Sequence, residues 1–320
     1  MVPVFILCIG LFAIVAFGIL MLHQPHKIPA LRAVVAEFVG TAMFQYIGGM
    51  CSAVGGVNSA LGNGLALMVC VYGTANVSGG HLNPAVSIAM AVTRREKWQK
   101  MGMYVLAQLA GAAVGAGMIW AILETAPADL GGGDAVARGS ATLGTLTENT
   151  SNAAPGQAVG IEAMGTFVLV WVIFATSVDP RGKKDFGATA PLAIGLTLTC
   201  NAISHGDLTG CSINPARSFG PALVFSRWQY HWVYWLGPCT GALAAAALQS
   251  LAMIEREDED PHSKQGINSS LKQQLGPDLS GPSLGMGGSS SSSSPYTQAG
   301  GGTLRTPLAG GAAAPSSGDL

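Results

Sequence analysis

The sequence predicts an all-α membrane protein with six transmembrane helices arranged as an inverted repeat, two re-entrant half-helices and an extra N-terminal apolar segment. Of its 320 residues, 49% are hydrophobic and only 10% are charged, against roughly 25% charged residues in a soluble domain. The charges cluster, and between the clusters lie apolar runs of about 20 residues, the length that crosses a hydrocarbon core. An Asn-Pro-Ala motif occurs twice among these runs, beginning at Asn83 and at Asn214.

Seven apolar spans follow one another along the chain. They cover about residues 2–22, 30–51, 60–77, 99–123, 157–178, 188–205 and 231–254. Lys and Arg accumulate in cytoplasmic loops, so the basic clusters at 93–100 and 179–184 are expected inside. The connection 124–158 holds one Arg and no Lys and is expected outside. The six spans from 30 to 254 then place the end of the last span and the C-terminal tail in the cytoplasm.

The two ends of the chain differ from the rest. Residues 1–24 lack the positive start and the cleavage site of a secretory signal, which favours an additional uncleaved helix; a leader that is cleaved or wrongly assigned is the alternative. Residues 255–320 pass from an acidic run into Ser- and Gly-rich sequence, and so few apolar residues predict a disordered tail. The outer connection also carries a glycosylation sequon at Asn149.

The chain contains an internal repeat, whose halves are residues 30–123 and 157–254. Three pairs of segments match between the halves: SGGHLNPAV and GCSINPARS, AEFVGT and IEAMGT, and YVLAQLAGA and YWLGPCTGA. Each half holds three spans, and this odd number makes the second half enter the membrane from the opposite side. Inverted repeats of this kind bind or pass solutes near the middle of the membrane, through discontinuous helices.

Each Asn-Pro-Ala motif predicts the start of a helix, because asparagine is a strong N-cap and proline is favoured at the first helical position. The apolar stretches that follow, Ala85–Val92 and Ala216–Val224, are too short to cross a membrane. Each is therefore expected to form a half-helix whose irregular start is buried in protein or lines water. In an inverted repeat the two N-termini, at Pro84 and Pro215, meet at the centre.

This meeting point is expected to be positive, because each helix N-terminus carries roughly half a positive charge. If the carbonyls of Asn83 and Asn214 cap their own helices, their NH2 groups remain free to donate to a passing oxygen. A water that accepts from both amides cannot relay protons along an unbroken chain. Lining donors and positive helix ends are features by which a pore passes water and refuses protons.

With these motifs the sequence resembles the aquaporin family, the major intrinsic proteins. The likeness covers about residues 30–254 and rests on the paired segments, on GCSINPARSFGPA and on HWVYWLGP. It implies a right-handed six-helix bundle in the lipid bilayer and a homotetramer with one pore per subunit. No cofactor or metal is expected, since the sequence contains no metal-ligand cluster, nucleophile constellation or phosphate loop.

The resemblance places the family's outer constriction on Asn63, Ala202, Cys211 and Arg217. Arg217 would hold a solute oxygen and repel cations, and the thiol of Cys211 would face the lumen and react with mercurials. Strict water channels carry Phe and His at the positions of Asn63 and Ala202, so a wider ring, polar on one side, is implied, closer to vacuolar plant members. Ser218 instead matches the water-channel pattern. We expect water conduction, with urea, ammonia, hydrogen peroxide or glycerol as additional solutes.

Three further polar residues lie close to the motifs or within the spans. Glu37 and Glu162 are expected to accept hydrogen bonds from the re-entrant loops, because a buried carboxylate needs partners; a proton relay is the alternative. His81, two residues before Asn83, is expected to line the inner vestibule or to pack within the protein.

The alternative function is secondary transport of a small neutral solute, since such transporters also contain inverted repeats and broken helices. They usually carry ionisable coupling residues at the depth where this chain has paired asparagines. A net charge of −1 offers no basic face for nucleic acid. The sequence leaves open whether the plasma membrane or a vacuolar or other endomembrane holds the protein.

Overall fold

The structure is a computed structural model that describes residues 29–125 and 153–254, and within these ranges its regular structure is helical. The predictions for residues 1–24, for Asn149 and for the tail 255–320 fall outside the described residues. In chain order the helices are α1 (Pro29–Val54), α2 (Gly56–Ser78), α3 (Pro84–Val92), α4 (Trp98–Thr125), α5 (Pro155–Ile173), α6 (Pro180–Phe186), α7 (Ala190–Thr209), α8 (Pro215–Val224) and α9 (Val233–Leu248). A single π-helical turn extends α5 over Phe174–Val178, and another extends α9 over Gln249–Met253.

Within residues 29–125 and 153–254, five helices are long and apolar enough to cross a membrane: α1, α2, α4, and α5 and α9 with their π-helical turns. The pair α6–α7, bent by 98°, supplies a sixth span if it is counted as one. Within this pair α7 has the length of a span, at 20 residues. It is less apolar than the others because it carries Asn201, His205 and Asp207 in its second half. These helices correspond to the six spans predicted after residue 30.

The long helices pack in matching pairs, α1 with α4 and α5 with α9, and α2 packs against α7. Small residues allow the close approach within each pair. A Cβ added at Gly115 of α4 would lie 2.8 Å from the Cβ of Gln45, and one added at Gly237 of α9 would lie 2.8 Å from the Cβ of Glu162. Glycines at such interfaces let helix backbones approach within a membrane.

The two half-helices join the halves of the chain. Helix α3 has 9 residues and α8 has 10, so each is about 15 Å long, half the thickness of a hydrocarbon core. Helix α3, from the first half, packs against α9, and α8, from the second half, packs against α4. Each half-helix therefore contacts a long helix of the other half.

Asp179 fixes the connection between α5 and α6. Its Oδ1 caps α6 by accepting from the backbone N–H of Arg181 at 2.9 Å, and its Oδ2 accepts from Nη2 of Arg181 at 2.7 Å. The same Nη2 donates to the carbonyl of Met253 at 2.7 Å, which ties the connection to the end of the α9 extension. The hydrogen-bonded Arg181 guanidinium holds the pKa of the Asp179 carboxyl below its ordinary value.

We expect Asp179→Ala to lower the free energy of unfolding by about 1 kcal/mol at neutral pH, the usual loss on removing an N-cap. Because the folded-state pKa is lowered, this contribution is complete above the ordinary pKa of about 3.9. It disappears as the pH falls through the lower folded-state value, where wild type and variant should converge. Unfolding curves of the purified protein against pH test this, with Asp185→Ala on the exposed side of α6 as control. Equal stability of Asp179→Ala and wild type at pH 7 would contradict it.

Candidate functional site

Both Asn-Pro-Ala motifs start a half-helix. Asn83 has an extended backbone (φ −157°), and its Oδ1 accepts from the backbone N–H of Ala85 at 2.9 Å. Asn214 has the same conformation (φ −156°), and its Oδ1 accepts from the N–H of Ala216 at 3.0 Å. The prolines, whose missing N–H would lack a partner in the first turn, are the first helical residues of α3 and α8.

The amide NH2 groups of the two asparagines join the two re-entrant loops. Nδ2 of Asn83 donates to the carbonyl of Ile213 at 2.9 Å, and Nδ2 of Asn214 donates to the carbonyl of Leu82 at 2.8 Å. We expected both NH2 groups to remain free to donate to a passing oxygen; one N–H of each is instead used within the protein, because the buried carbonyl before the opposite asparagine needs a donor. Each amide has two N–H groups, so one remains for a solute.

One cavity contains both asparagines in its wall. Its volume is about 490 Å³, which gives room for on the order of ten waters. Apolar side chains such as Val71, Leu169 and Ile194 form much of the lining, and His81 and Lys183 are among its ionisable residues. Asn83 and Asn214 are each only 3% exposed, so each presents only a small part of its surface to this cavity.

Glu37 holds the first re-entrant loop from within the protein. Its Oε1 accepts from the hydroxyl of Ser78 at 2.6 Å and from the backbone N–H of His81 at 2.9 Å. Its Oε2 accepts from the N–H of Leu82 and from the side-chain amide of Gln108, both at 2.7 Å. The side chain is fully buried, and these four donors supply the partners that a buried carboxylate needs.

Glu162 holds the second loop in the matching way. Its Oε1 accepts from the hydroxyl of Thr209 at 2.6 Å and from the N–H of Ser212 at 3.0 Å, and its Oε2 accepts from the N–H of Ile213 at 2.6 Å. Ile213 has φ +44° and its counterpart Leu82 has φ +48°, a left-handed conformation that is strained for branched side chains. The carboxylates therefore fix two loops that would not adopt these angles alone.

Two tyrosines complete this support, and the sequence analysis did not assign them a role. The hydroxyl of Tyr104 donates to the carbonyl of Ser78 at 2.7 Å, and that of Tyr234 donates to the carbonyl of Thr209 at 2.5 Å. The sequence does contain a signal for this role, because the two tyrosines stand at the first position of the matched segments YVLAQLAGA and YWLGPCTGA. Gln108 has no such counterpart, since Pro238 stands at its place in the second half.

His81 lines the cavity and also packs within the protein. It is 7% exposed, its Nδ1 lies 3.1 Å from the hydroxyl of Ser87, and its ring meets the ring of Tyr104 edge to face at 5.2 Å. His81 therefore both borders the cavity and packs against Tyr104, and its place in an inner vestibule stays a prediction.

Arg217, the first residue after the second motif, is held by neutral groups. Its Nε and Nη2 donate to Oδ1 of Asn63 at 3.2 and 3.0 Å. Its Nη1 donates to the carbonyls of Gly210 and Cys211, both at 3.2 Å. Arg217 as a whole is 6% exposed, and within the described part of the chain it forms no ion pair. Its positive charge is therefore not neutralised by a contacting carboxylate.

The other predicted constriction residues contact Arg217 or pack against the main apolar cluster. Asn63 is 2% exposed and turns its carbonyl oxygen to Arg217. Cys211 is 1% exposed and packs in the main apolar cluster, and its backbone carbonyl accepts from Arg217; that its thiol faces the lumen stays a prediction. Ala202 is half-buried against the same cluster. None of these four residues lines the cavity that contains the asparagines.

Comparison with known proteins identifies the family. Residues 24–249 match the model of the family described as major intrinsic protein. The chain is 37% identical over 233 residues to probable aquaporin PIP2-8 of Arabidopsis thaliana, covering 68% of this chain and 79% of that protein. It is 39% identical over 241 residues to aquaporin-5 of Sus scrofa, covering 71% of this chain and 85% of that protein.

A solved structure supports the same fold. The X-ray structure of the aquaglyceroporin from Plasmodium falciparum superposes with a TM-score of 0.61 at 24% sequence identity, covering 70% of this chain and 97% of that chain. The family match, the two relatives and the paired half-helices agree: this chain belongs to the major intrinsic protein family.

Proposed function

We propose that the protein is a passive membrane channel that conducts water and small neutral solutes and excludes protons and ions. The observation that carries the proposal is the pair of half-helix N-termini, at Asn83 and Asn214, set in the wall of one cavity. Each asparagine uses one amide N–H to bind the opposite loop. The other N–H of each remains, so two N–H groups can donate to a solute oxygen. The positive helix ends oppose cations at the same place.

Similar proteins support this class of function. The relatives from Arabidopsis thaliana and Sus scrofa both bear the name aquaporin, and each aligns with more than two thirds of this chain. The proposal extends to a homotetramer in a lipid bilayer, as the family resemblance implies, with the basic connections and the tail on the cytoplasmic side of the plasma membrane or an endomembrane.

The outer constriction supports a range of solutes wider than water alone. Arg217 supplies a charge that opposes cations, while the small side chain of Ala202 and the polar side chain of Asn63 replace larger aromatic groups. Water therefore passes together with neutral molecules of the size of ammonia, hydrogen peroxide, urea and glycerol. Arg217, Asn63, Ala202 and the backbone of Cys211 form the filter in this proposal, and Glu37, Glu162 and His81 support the pore.

Osmotic swelling and shrinkage of vesicles containing the purified full-length chain test the proposal. In sucrose gradients, light scattering should change several times faster than in protein-free vesicles, with a weak temperature dependence. Urea and glycerol gradients should then collapse faster than in the protein-free control. A rate equal to that control would contradict the proposal, and solute flux that needs a proton gradient would favour a secondary transporter.

A further inference from the structure

We propose that Asn63 is the positioning residue for Arg217: its carbonyl oxygen fixes the guanidinium, and this fixed orientation sets the selectivity between water and larger neutral solutes. The statement about selectivity rests on the proposed channel function, whereas the statement about position rests on the contacts alone.

The guanidinium of Arg217 is held from two sides. It has five N–H groups. Two donate to Oδ1 of Asn63 on α2, and two donate to the carbonyls of Gly210 and Cys211, which precede the second motif. A single N–H on Nη2 remains for a solute. Such a guanidinium cannot turn toward a passing molecule without breaking bonds to one of its supports.

The amide of Asn63 has only one workable orientation. Its Nδ2 lies 2.8 Å from the carbonyl of Ser59, 2.9 Å from the hydroxyl oxygen of Ser52 and 3.2 Å from the carbonyl of Gly48. The hydroxyl of Ser52 donates to Gly48 at 2.9 Å, so its lone pairs face Asn63. Because these neighbours accept, the NH2 must point to them and the oxygen must point to Arg217.

The end of α1 leaves room for this amide. A Cβ added at Gly48 would lie 2.5 Å from Oδ1 of Asn63, so a larger residue there would displace the oxygen that binds Arg217. The network thus runs from Gly48 and Ser52 on α1, through Asn63 on α2, to Arg217 on α8. Two consecutive helices of the first half and one half-helix of the second half thus determine the position of one charged group.

Removing this acceptor should change selectivity in one direction. In Asn63→Leu, a side chain of similar size, Nε–H and one Nη2–H of Arg217 lose their partner. Buried charged donors require acceptors, and the solutes in the lumen supply them, so the guanidinium should turn inward and narrow the constriction. We expect the ratio of urea to water permeability to fall about tenfold, as the loss of a hydrogen bond to a charged group implies.

A double-mutant cycle separates positioning from general structural damage. Arg217→Lys keeps the charge but lacks the guanidinium fork. If Asn63 acts through that fork, Asn63→Leu in the Arg217→Lys background should change the permeability ratio by less than about twofold, because the interaction is already gone. Equal effects of Asn63→Leu in both backgrounds would overturn the proposal. If the wild type passes water but excludes urea, water permeability per channel is compared in the same cycle.

Asn201→Leu is the matched control. Asn201 is also a buried asparagine on a long helix, and its Nδ2 donates to the carbonyl of Gly165 at 3.0 Å. Arg217 is not among its hydrogen-bond partners within the described residues. This variant should leave the permeability ratio within about twofold of wild type, since uncoupled sites act independently. A shift as large as that of Asn63→Leu would overturn the proposal.

An experimental structure of the Asn63→Leu variant provides a readout that does not depend on transport. The guanidinium carbon of Arg217 should move by about 2 Å or more, enough to break hydrogen bonds of ordinary length; an unmoved guanidinium would overturn the positional claim. Wild-type vesicles without accelerated water flux would instead defeat the proposed function, and the positional claim would then be decided by this structure.

Discussion

Replacement of Glu162 by alanine is expected to unfold the second re-entrant loop and to abolish water permeation. The carboxylate accepts from three buried donors, the hydroxyl of Thr209 and the N–H groups of Ser212 and Ile213. Each buried donor left without a partner costs about 1–3 kcal/mol. The total approaches the 5–15 kcal/mol by which a typical protein is stable. The strained backbone of Ile213 would also lose the bond that holds it.

Glu162→Gln tests whether the side chain of Glu162 is needed as a hydrogen-bond acceptor or only fills space. Glutamine fills the same space, but its NH2 must face at least one of the N–H donors, so one contact becomes repulsive. We expect stability between that of wild type and Glu162→Ala, with reduced permeation. The yield of monodisperse protein, its thermal unfolding in detergent and its water permeability in vesicles measure these effects.

Glu96→Ala is the control for Glu162→Ala, since Glu96, just before α4 begins, pairs with Lys100 four residues on. Solvent-accessible pairs of this kind contribute about 0–1 kcal/mol, so Glu96→Ala should behave as wild type. If Glu162→Ala folds and conducts as well as Glu96→Ala, the carboxylate does not support the loop.

The sequence predicts the parts of this fold that depend on local chemistry. Asn83 and Asn214 start their helices because capping requires only the residue and its next two or three neighbours. The spans follow from unbroken apolar length. The roles of Glu37 and Glu162 as acceptors followed from a general requirement, that a buried carboxylate finds donors.

The identity of the loop donors required closer comparison of the two halves. Ser78 and Thr209 stand at the same offset before the two motifs, five residues ahead of each asparagine. Tyr104 and Tyr234 likewise stand at the start of matched segments. A hydroxyl kept at equivalent places in both halves indicates an equivalent partner, so an alignment of the halves by position, beyond the motifs, would have assigned these four residues to the loops.

The orientation of Asn63 could not be predicted in this way. Its partners Gly48, Ser52 and Arg217 lie on two other helices, and their approach depends on the packing of α1 and α8 against their neighbours. The distance of Asn63 from the first motif along the sequence indicated its depth in the membrane, but it did not indicate the direction in which its side-chain amide points. For the same reason the sequence did not show that the thiol of Cys211 is buried while its carbonyl accepts from Arg217.

Replacement of Arg217 by valine is expected to open the channel to cations. The guanidinium is a buried positive charge whose contacts are neutral. A unit charge about 4 Å from a passing cation repels it by about 4 kcal/mol at an effective dielectric constant of 20. Since each 1.4 kcal/mol is about a factor of ten, cation passage should rise by about a hundredfold or more, while water permeation stays measurable.

Proton flux into vesicles is recorded with a pH-sensitive dye, and sodium flux is recorded as a current across a planar bilayer. The water permeation of the same protein preparation is measured alongside. Arg181→Val is the control, because Arg181 is an exposed arginine on the short helix α6, outside the proposed filter. The two half-helix ends remain in Arg217→Val, each with about half a positive charge, so exclusion should weaken without vanishing. If Arg217→Val excludes cations as well as wild type does, the barrier lies at Asn83 and Asn214 alone, and the role of Arg217 is confined to binding the solute.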